Sequence, residues 1–237
     1  WMCWYPVRWD HADMSSHKLT VVRSSSVHRM TREDQESGAC MHVMRGHYVR
    51  VEDPRLLETP WNTWNAVARA RLLALQASGK GDRVFVGASS IVARGIPLWE
   101  AVRAAGTLVP AVSVRWSVAP PHATELQTVG GVRVEGITDA AVRMACRSEY
   151  LSAFVAICMV LNRQSRFSVF SQAESRERAN DVREAMLGRL AAWRQREDNV
   201  PFQRAETIMC AADPGCDNPA EAALLWVIKS VSAFDVV

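Results

Sequence analysis

The sequence predicts an α+β fold: a degenerate winged-helix-like module at the N-terminal end, an α/β middle region with a small sheet, and a helical C-terminal part. Three observations lead there. Short runs of β-formers framed by glycine or proline recur from Val43 to Val134. Beyond Thr138, apolar residues recur instead at the 3, 4 spacing of helices. Hydrophobic residues make up 49% and charged residues 22% of the 237, which is ordinary globular usage and opposes wholesale disorder.

The elements follow in order. Residues 1–13, with three tryptophans in the first nine positions and no usable period, are expected to be unstructured, and Met14 is a candidate start. Residues 14–58 form the winged-helix-like unit. Within it Ser15 to Glu36 is polar and basic, and Thr31 can cap a helix start. Val43, Tyr48, Val49 and Val51 around Arg45-Gly46 suggest two short antiparallel strands, closed by Asp53-Pro54. Residues 59–165 form the mixed domain. A helix runs from Asn62 or Thr63 to about Ser78, with Trp64, Val67, Ala68, Arg71, Leu72 and Leu75 on one side. Val84 to Val86 reads as a buried strand. Ala88 to Arg94 reads as a short helix ended by Gly95, with Pro97 beyond. Val112 to Val118 alternates like a half-buried strand, Pro120-Pro121 turns the chain, and Gly131 to Val134 is another strand. Thr138 to Arg147 and Glu149 to Arg163 are consecutive helices. In the helical region, residues 166–237, a polar connector to Ser175 precedes a helix from about Glu177 to Arg196. Its stripe Val182, Met186, Leu190 and Trp193 lies opposite Arg183, Glu184 and Arg194. Helices around Phe202–Ala212 and Pro219–Val231 complete the chain.

Composition narrows the function classes. No apolar run approaches the eighteen or so residues of a membrane span, and no secretory leader is visible, so the expected location is cytoplasmic. The six cysteines form no CxxC pair, which excludes a framed zinc site and fits a reducing compartment. Lysine occurs only at Lys18, Lys80 and Lys229, so arginine carries nearly all the positive charge. Its planar fork suits phosphates and base edges, but GC-rich codon usage produces the same bias and arginine content alone decides nothing. Ser24-Ser25-Ser26 and Ser89-Ser90 lack the glycine-framed elbow of a nucleophilic serine, and Gly79-Lys80-Gly81 is no phosphate-binding loop. His42 and His47 flank the proposed turn and can approach one another, but without paired acids or cysteines they do not make a metal site.

Five segments carry a likeness to a known family: MRGHYVRV (44–51), ARARLLALQ (68–76), FVGASSIVARGIPLW (85–99), GGVRVEGITDAAVRMAC (130–146) and RAETIMCAADPGCDNPAEAALLWVI (204–228). Together they resemble actinobacterial proteins with an AbiEi-type antitoxin-like region, which is often followed by a domain similar to very-short-patch-repair endonucleases. The resemblance implies that residues 59–165 are the antitoxin-like domain and that the protein is a DNA-binding transcriptional regulator of the type IV toxin-antitoxin kind, with DNA and a cognate toxin or other protein as partners. It also implies three small helices before a wing made by Arg45 and Gly46, with Tyr48 packed behind. The nuclease alternative is incomplete. Glu221 matches that domain's first acidic residue, but Val237 comes before the strands that would supply an aspartate and an acid-x-lysine pair. No catalytic residue, metal site or cofactor is therefore assigned, and Glu221 reads as a helix N-terminal acid. The residues assigned to DNA are Arg29, Arg32, Arg45, His47 and Arg50, in a basic set that also includes Arg23. A solvated face of a small domain accounts for the same charges, and a protein-interaction module without a nucleic-acid role is the third reading.

Overall fold

The computed structural model describes residues 19–23, 40–44, 47–51, 60–78, 83–99, 116–117, 120, 122–196 and 201–231. It is an α+β protein with two small sheets and a helical body. The expected unstructured segment 1–13, the helix start at Thr31, the closing Asp53-Pro54 and most of the strand expected at Val112 to Val118 lie outside the described residues.

Strands β1 (Leu19–Arg23), β2 (Cys40–Met44) and β3 (His47–Val51) make the first sheet, in the order β1-β3-β2 and antiparallel throughout. The hairpin expected around Arg45-Gly46 is there, with His42 opposite Tyr48 and Met44 opposite His47. β1 is a correction: in a polar and basic stretch with only short apolar marks, where the resemblance implies small helices, Leu19–Arg23 is a strand that pairs along its whole length with β3, from Leu19 against Val51 to Arg23 against His47. Its Val-Val pair supplies the β-preference, but the partner lies more than twenty residues away, beyond any local pattern.

Helix α1 (Pro60–Ser78) begins two residues before the expected cap. Its apolar character is not confined to one side. Trp64 through Ala70, with Leu72 and Ala74, are buried nearly all round the helix, and exposure begins only at Ala77. The reason is that α1 has a sheet on either side. Arg71 Nε donates to the Val43 carbonyl of β2 at 3.0 Å, while Gln76 Oε1 accepts from the Arg133 amide of the second sheet at 3.4 Å. Alanines 66, 68, 70 and 74 keep the helix slim enough for both neighbours.

The second sheet runs β5 (Trp116–Ser117), β4 (Val84–Phe85), β7 (Val132–Glu135), β6 (Leu126–Val129). β4 and β7 are parallel neighbours, and each runs through a glycine into a helix: β4 into α2 (Ala88–Ala93), β7 into α3 (Ile137–Arg147). Gly95, just past α2, takes φ 72°, the left-handed helix end that the sequence predicts. β6 was missed. It joins β7 through Gly130-Gly131, both at positive φ (54° and 83°), a two-residue turn whose twist matches the strands it connects.

Helix α4 (Tyr150–Ser165) is the hub of the helical body, buried without interruption from Ser152 to Leu161. Around it pack α3, α5 (Gln172–Arg194), α6 (Phe202–Ala211) and α7 (Pro219–Val231). A single apolar cluster extends from Trp64 to Ala223, so residues 60–165 and 166–231 share one core. α5 begins five residues earlier than expected, after a short 3₁₀ turn at Val169–Ser171. Met186, Leu190 and Trp193 are buried as the stripe predicts, with Val182 half-buried beside them. Burial of each of the three contributes roughly 1.5–3 kcal/mol before entropy. Arg183 does not belong to the opposite, solvated side. Its guanidinium reaches the Met209 and Ala212 carbonyls at 3.1 and 2.9 Å and so caps the end of α6.

Candidate functional site

Of the five residues assigned to DNA, Arg29, Arg32 and Arg45 lie outside the described residues; His47 and Arg50 are on β3. Successive side chains on a strand leave opposite faces. Tyr48 and Arg50 therefore share one side of the sheet, and His47 belongs to the other. The ring of His42 meets that of Tyr48 edge-on at 5.2 Å, which puts His42 on the side of Tyr48. That side is open: His42 and Arg50 are exposed and Tyr48 is half-exposed. His47 is half-buried, with its Nε2 shut away from solvent. His47 and Arg50 therefore cannot meet one surface together, and His42 and His47 do not converge. The period-2 rule applied to HYVRV alone separates them.

The pairing register shifts between His42 and Met44, leaving Val43 as an extra residue that turns inward and is buried. Arg71 from α1 takes up the carbonyl this frees. The inner side of the sheet is thereby fixed to the body while the His42–Tyr48–Arg50 side faces solvent.

A second polar cluster, unseen in the sequence, sits where β4 and β7 end. Glu135, the last residue of β7, is fully buried. Its Oε1 accepts the Gly87 amide at 2.6 Å, and Arg143 of α3 closes on both oxygens, with Nε at 3.0 and 3.2 Å and Nη2 at 2.8 Å. Gly87 makes this approach with φ 54°, a conformation that side chains disfavour. The Arg143 guanidinium also lies 4.9 Å from the Trp193 ring centroid. The Glu135 carbonyl accepts Ser90 Oγ at 2.8 Å and Arg94 Nη2 at 2.9 Å, and the same Arg94 nitrogen donates to Gln127 Oε1 at 2.7 Å. Burial lowers Arg94 from the ordinary guanidinium range, opposed by the charges of Glu135 and Glu125. Nearby, buried Asp139 accepts the Thr124 amide at 2.9 Å, the Thr124 hydroxyl at 3.1 Å and Arg189 Nε; Arg189 also donates to the His122 carbonyl.

Chemically this cluster is closed. Both oxygens of Glu135 and both of Asp139 are engaged by donors, so neither carboxylate is free to take a proton from a substrate. Its work is to fasten the ends of two parallel strands to α2, α3 and α5. Ser90 is part of this fastening and is buried, not a nucleophile at an exposed elbow. Among the described residues, no group of three His, Cys, Asp or Glu is placed to hold a metal ion. Burial, and then the adjoining Cys216 thiol, pushes the Cys158 thiol well above its ordinary range. Glu221 caps the start of α7: its oxygens accept the Asp217 amide at 2.8 Å and Asn218 Nδ2 at 2.7 Å, while Asn218 Oδ1 accepts the Ala220 and Glu221 amides at 3.0 Å each.

No family model matches the chain, and neither a curated protein nor a solved structure shows significant similarity to it. No helix among the described residues is long and apolar enough to cross a membrane.

Proposed function

We propose that this protein is a DNA-binding regulator of the antitoxin type, which applies the open side of its N-terminal sheet and the adjoining β2–β3 turn to a duplex. One observation supports it above all: Arg50 stands exposed on the central strand, on the same side as Tyr48 and His42. The planar guanidinium fork matches phosphate geometry, and the strand fixes where its stem begins. The five resembling segments supply the regulator class. The nuclease reading gains nothing comparable, because Glu221 is occupied at the start of its own helix.

The test is fluorescence anisotropy with a labelled duplex across a salt series. Affinity should fall steeply with salt, and Arg45→Ala combined with Arg50→Ala should flatten the log–log slope by about two, one for each lost phosphate contact. His47→Ala should leave the slope alone, because that side chain belongs to the inner face. Binding unaffected by the arginine pair removes the sheet from the function. Absence of any affinity for DNA hands the role to a protein-interaction module.

A further inference from the structure

We propose that Cys158 and Cys216 form a redox switch: a small-molecule disulfide oxidises the two thiols to an internal disulfide, which locks the α6–α7 loop onto α4. Both are free thiols here and lie in the same apolar core, Cys158 in the middle of α4 and Cys216 in the loop between α6 and α7. They stand within hydrogen-bond reach of one another. The loop that brings them together is held in place around them. The Asp213 amide donates to Cys158 Sγ at 3.4 Å, and Asn162 Nδ2 of α4 donates to the Pro214 carbonyl at 2.9 Å. Asp213 Oδ1 accepts the Gly215 amide at 2.6 Å, which turns the chain just before Cys216. Thiols already in contact need only a small movement of the loop side chain to bond. A metal is not the ligand of this pair, because among the described residues no third His, Cys, Asp or Glu joins it.

The step is thiol–disulfide exchange with a small disulfide such as oxidised glutathione. Cys216 keeps a narrow exposed edge, 7%, whereas Cys158 has none, so Cys216 attacks first. Its thiolate bonds to one sulfur of the oxidant, and the other sulfur leaves as a thiolate. Cys158 then attacks the Cys216 sulfur of this mixed disulfide, and the second small thiol leaves. The two protons of the protein thiols end on the two released thiols; the protein pair is oxidised and the small disulfide reduced. The Asp213 amide directed at Cys158 Sγ offsets part of the cost of the thiolate that the second attack requires. The new bond closes the chain from 158 to 216 on itself, a segment that holds all of α5 and α6. Closing so long a loop removes freedom from the unfolded chain and so favours the folded one.

The test uses the full chain carrying Cys3→Ser, Cys40→Ser and Cys210→Ser, equilibrated without denaturant in glutathione buffers of rising oxidised share. Intact mass should fall by about 2 Da as one bridge forms, and dithiothreitol should restore it. Peptide mapping should place that bridge between Cys158 and Cys216. Bridging should raise the thermal midpoint by roughly 5–10 °C. Cys216→Ser and, independently, Cys158→Ala should abolish both changes while far-UV circular dichroism stays that of the parent. Thiols that remain reduced at the most oxidising ratio overturn the proposal. So does a glutathione adduct on Cys216 that never resolves, a bridge that involves Cys146, or a midpoint that bridging leaves unmoved.

Discussion

Replacing Glu135 by glutamine tests whether the buried cluster fastens the two strand ends. Glutamine keeps an oxygen for the Gly87 amide at nearly the same volume, but it removes the charge that answers Arg143. Arg143 then remains a buried cation, its side chain 10% exposed, without its counter-ion. Breaking a buried pair from one side costs about 3–5 kcal/mol. The Trp193 ring beneath the guanidinium still offers some compensation, which places the expected loss near the lower bound, about 3 kcal/mol. For a chain of this length each kcal/mol moves the midpoint by about 2–4 °C, so thermal unfolding should begin roughly 6–12 °C lower. Urea unfolding followed by circular dichroism gives the free energy directly. The decisive companion is Glu135→Gln with Arg143→Met, which removes both charges and should recover more than half of the loss, since the penalty lies in the stranded cation. A single variant within about 1 kcal/mol of the parent would refute the reasoning, as would a double variant no better than the single.

Other expectations follow from the same geometry. Gly131→Ala forces a side chain to φ 83° beside Leu73 and should cost about 1–2 kcal/mol. Gly188→Ala, in the middle of α5 with nothing within 4 Å of the added carbon, should instead gain about 0.5–1 kcal/mol; urea unfolding reads both signs. Of the four cysteines beyond residue 140, Cys210 is exposed while Cys146, Cys158 and Cys216 are buried, so brief alkylation mapped by mass spectrometry should label Cys210 before those three. Because the Cys158 thiol is raised in the folded state, that state holds a proton which the unfolded chain has already released. Stability from this group should therefore decline as pH rises past the ordinary thiol value of about 8.5, and Cys158→Ala should flatten that decline in unfolding free energy against pH.

The helices of the body were legible because their patterns are local. The stripe on α5, the apolar run of α4 and the glycine after α2 each lie within a few turns of chain. The β2–β3 hairpin was legible for the same reason, with β-formers on both sides of Arg45-Gly46. β1 was not, because its partner is remote. β6 was not either, because its four residues are only half-buried at best, leaving no apolar alternation to see. The Gly-Gly pair after it was the available signal. The early turns of α5 are almost wholly polar, so only the helix preference of Gln172, Ala173 and Glu174 marked them. The Glu135–Arg143 pair leaves no motif at all: its members are eight residues apart on a strand and a helix, and they meet only once Gly136 has turned the chain.

The inward turn of Val43 ties the stability of the small sheet to that of its neighbour. Three strands of five residues cannot hold themselves together in water, since so small a sheet needs an apolar floor. Here the floor is α1, joined through Val43 and the Arg71 hydrogen bond. α1 rests in turn on the main core by way of Trp64, Ala68 and Leu72. The dependence is mutual, because α1, buried nearly all round, needs the N-terminal strands to cover the side that the main core leaves bare, so loosening either should loosen the other.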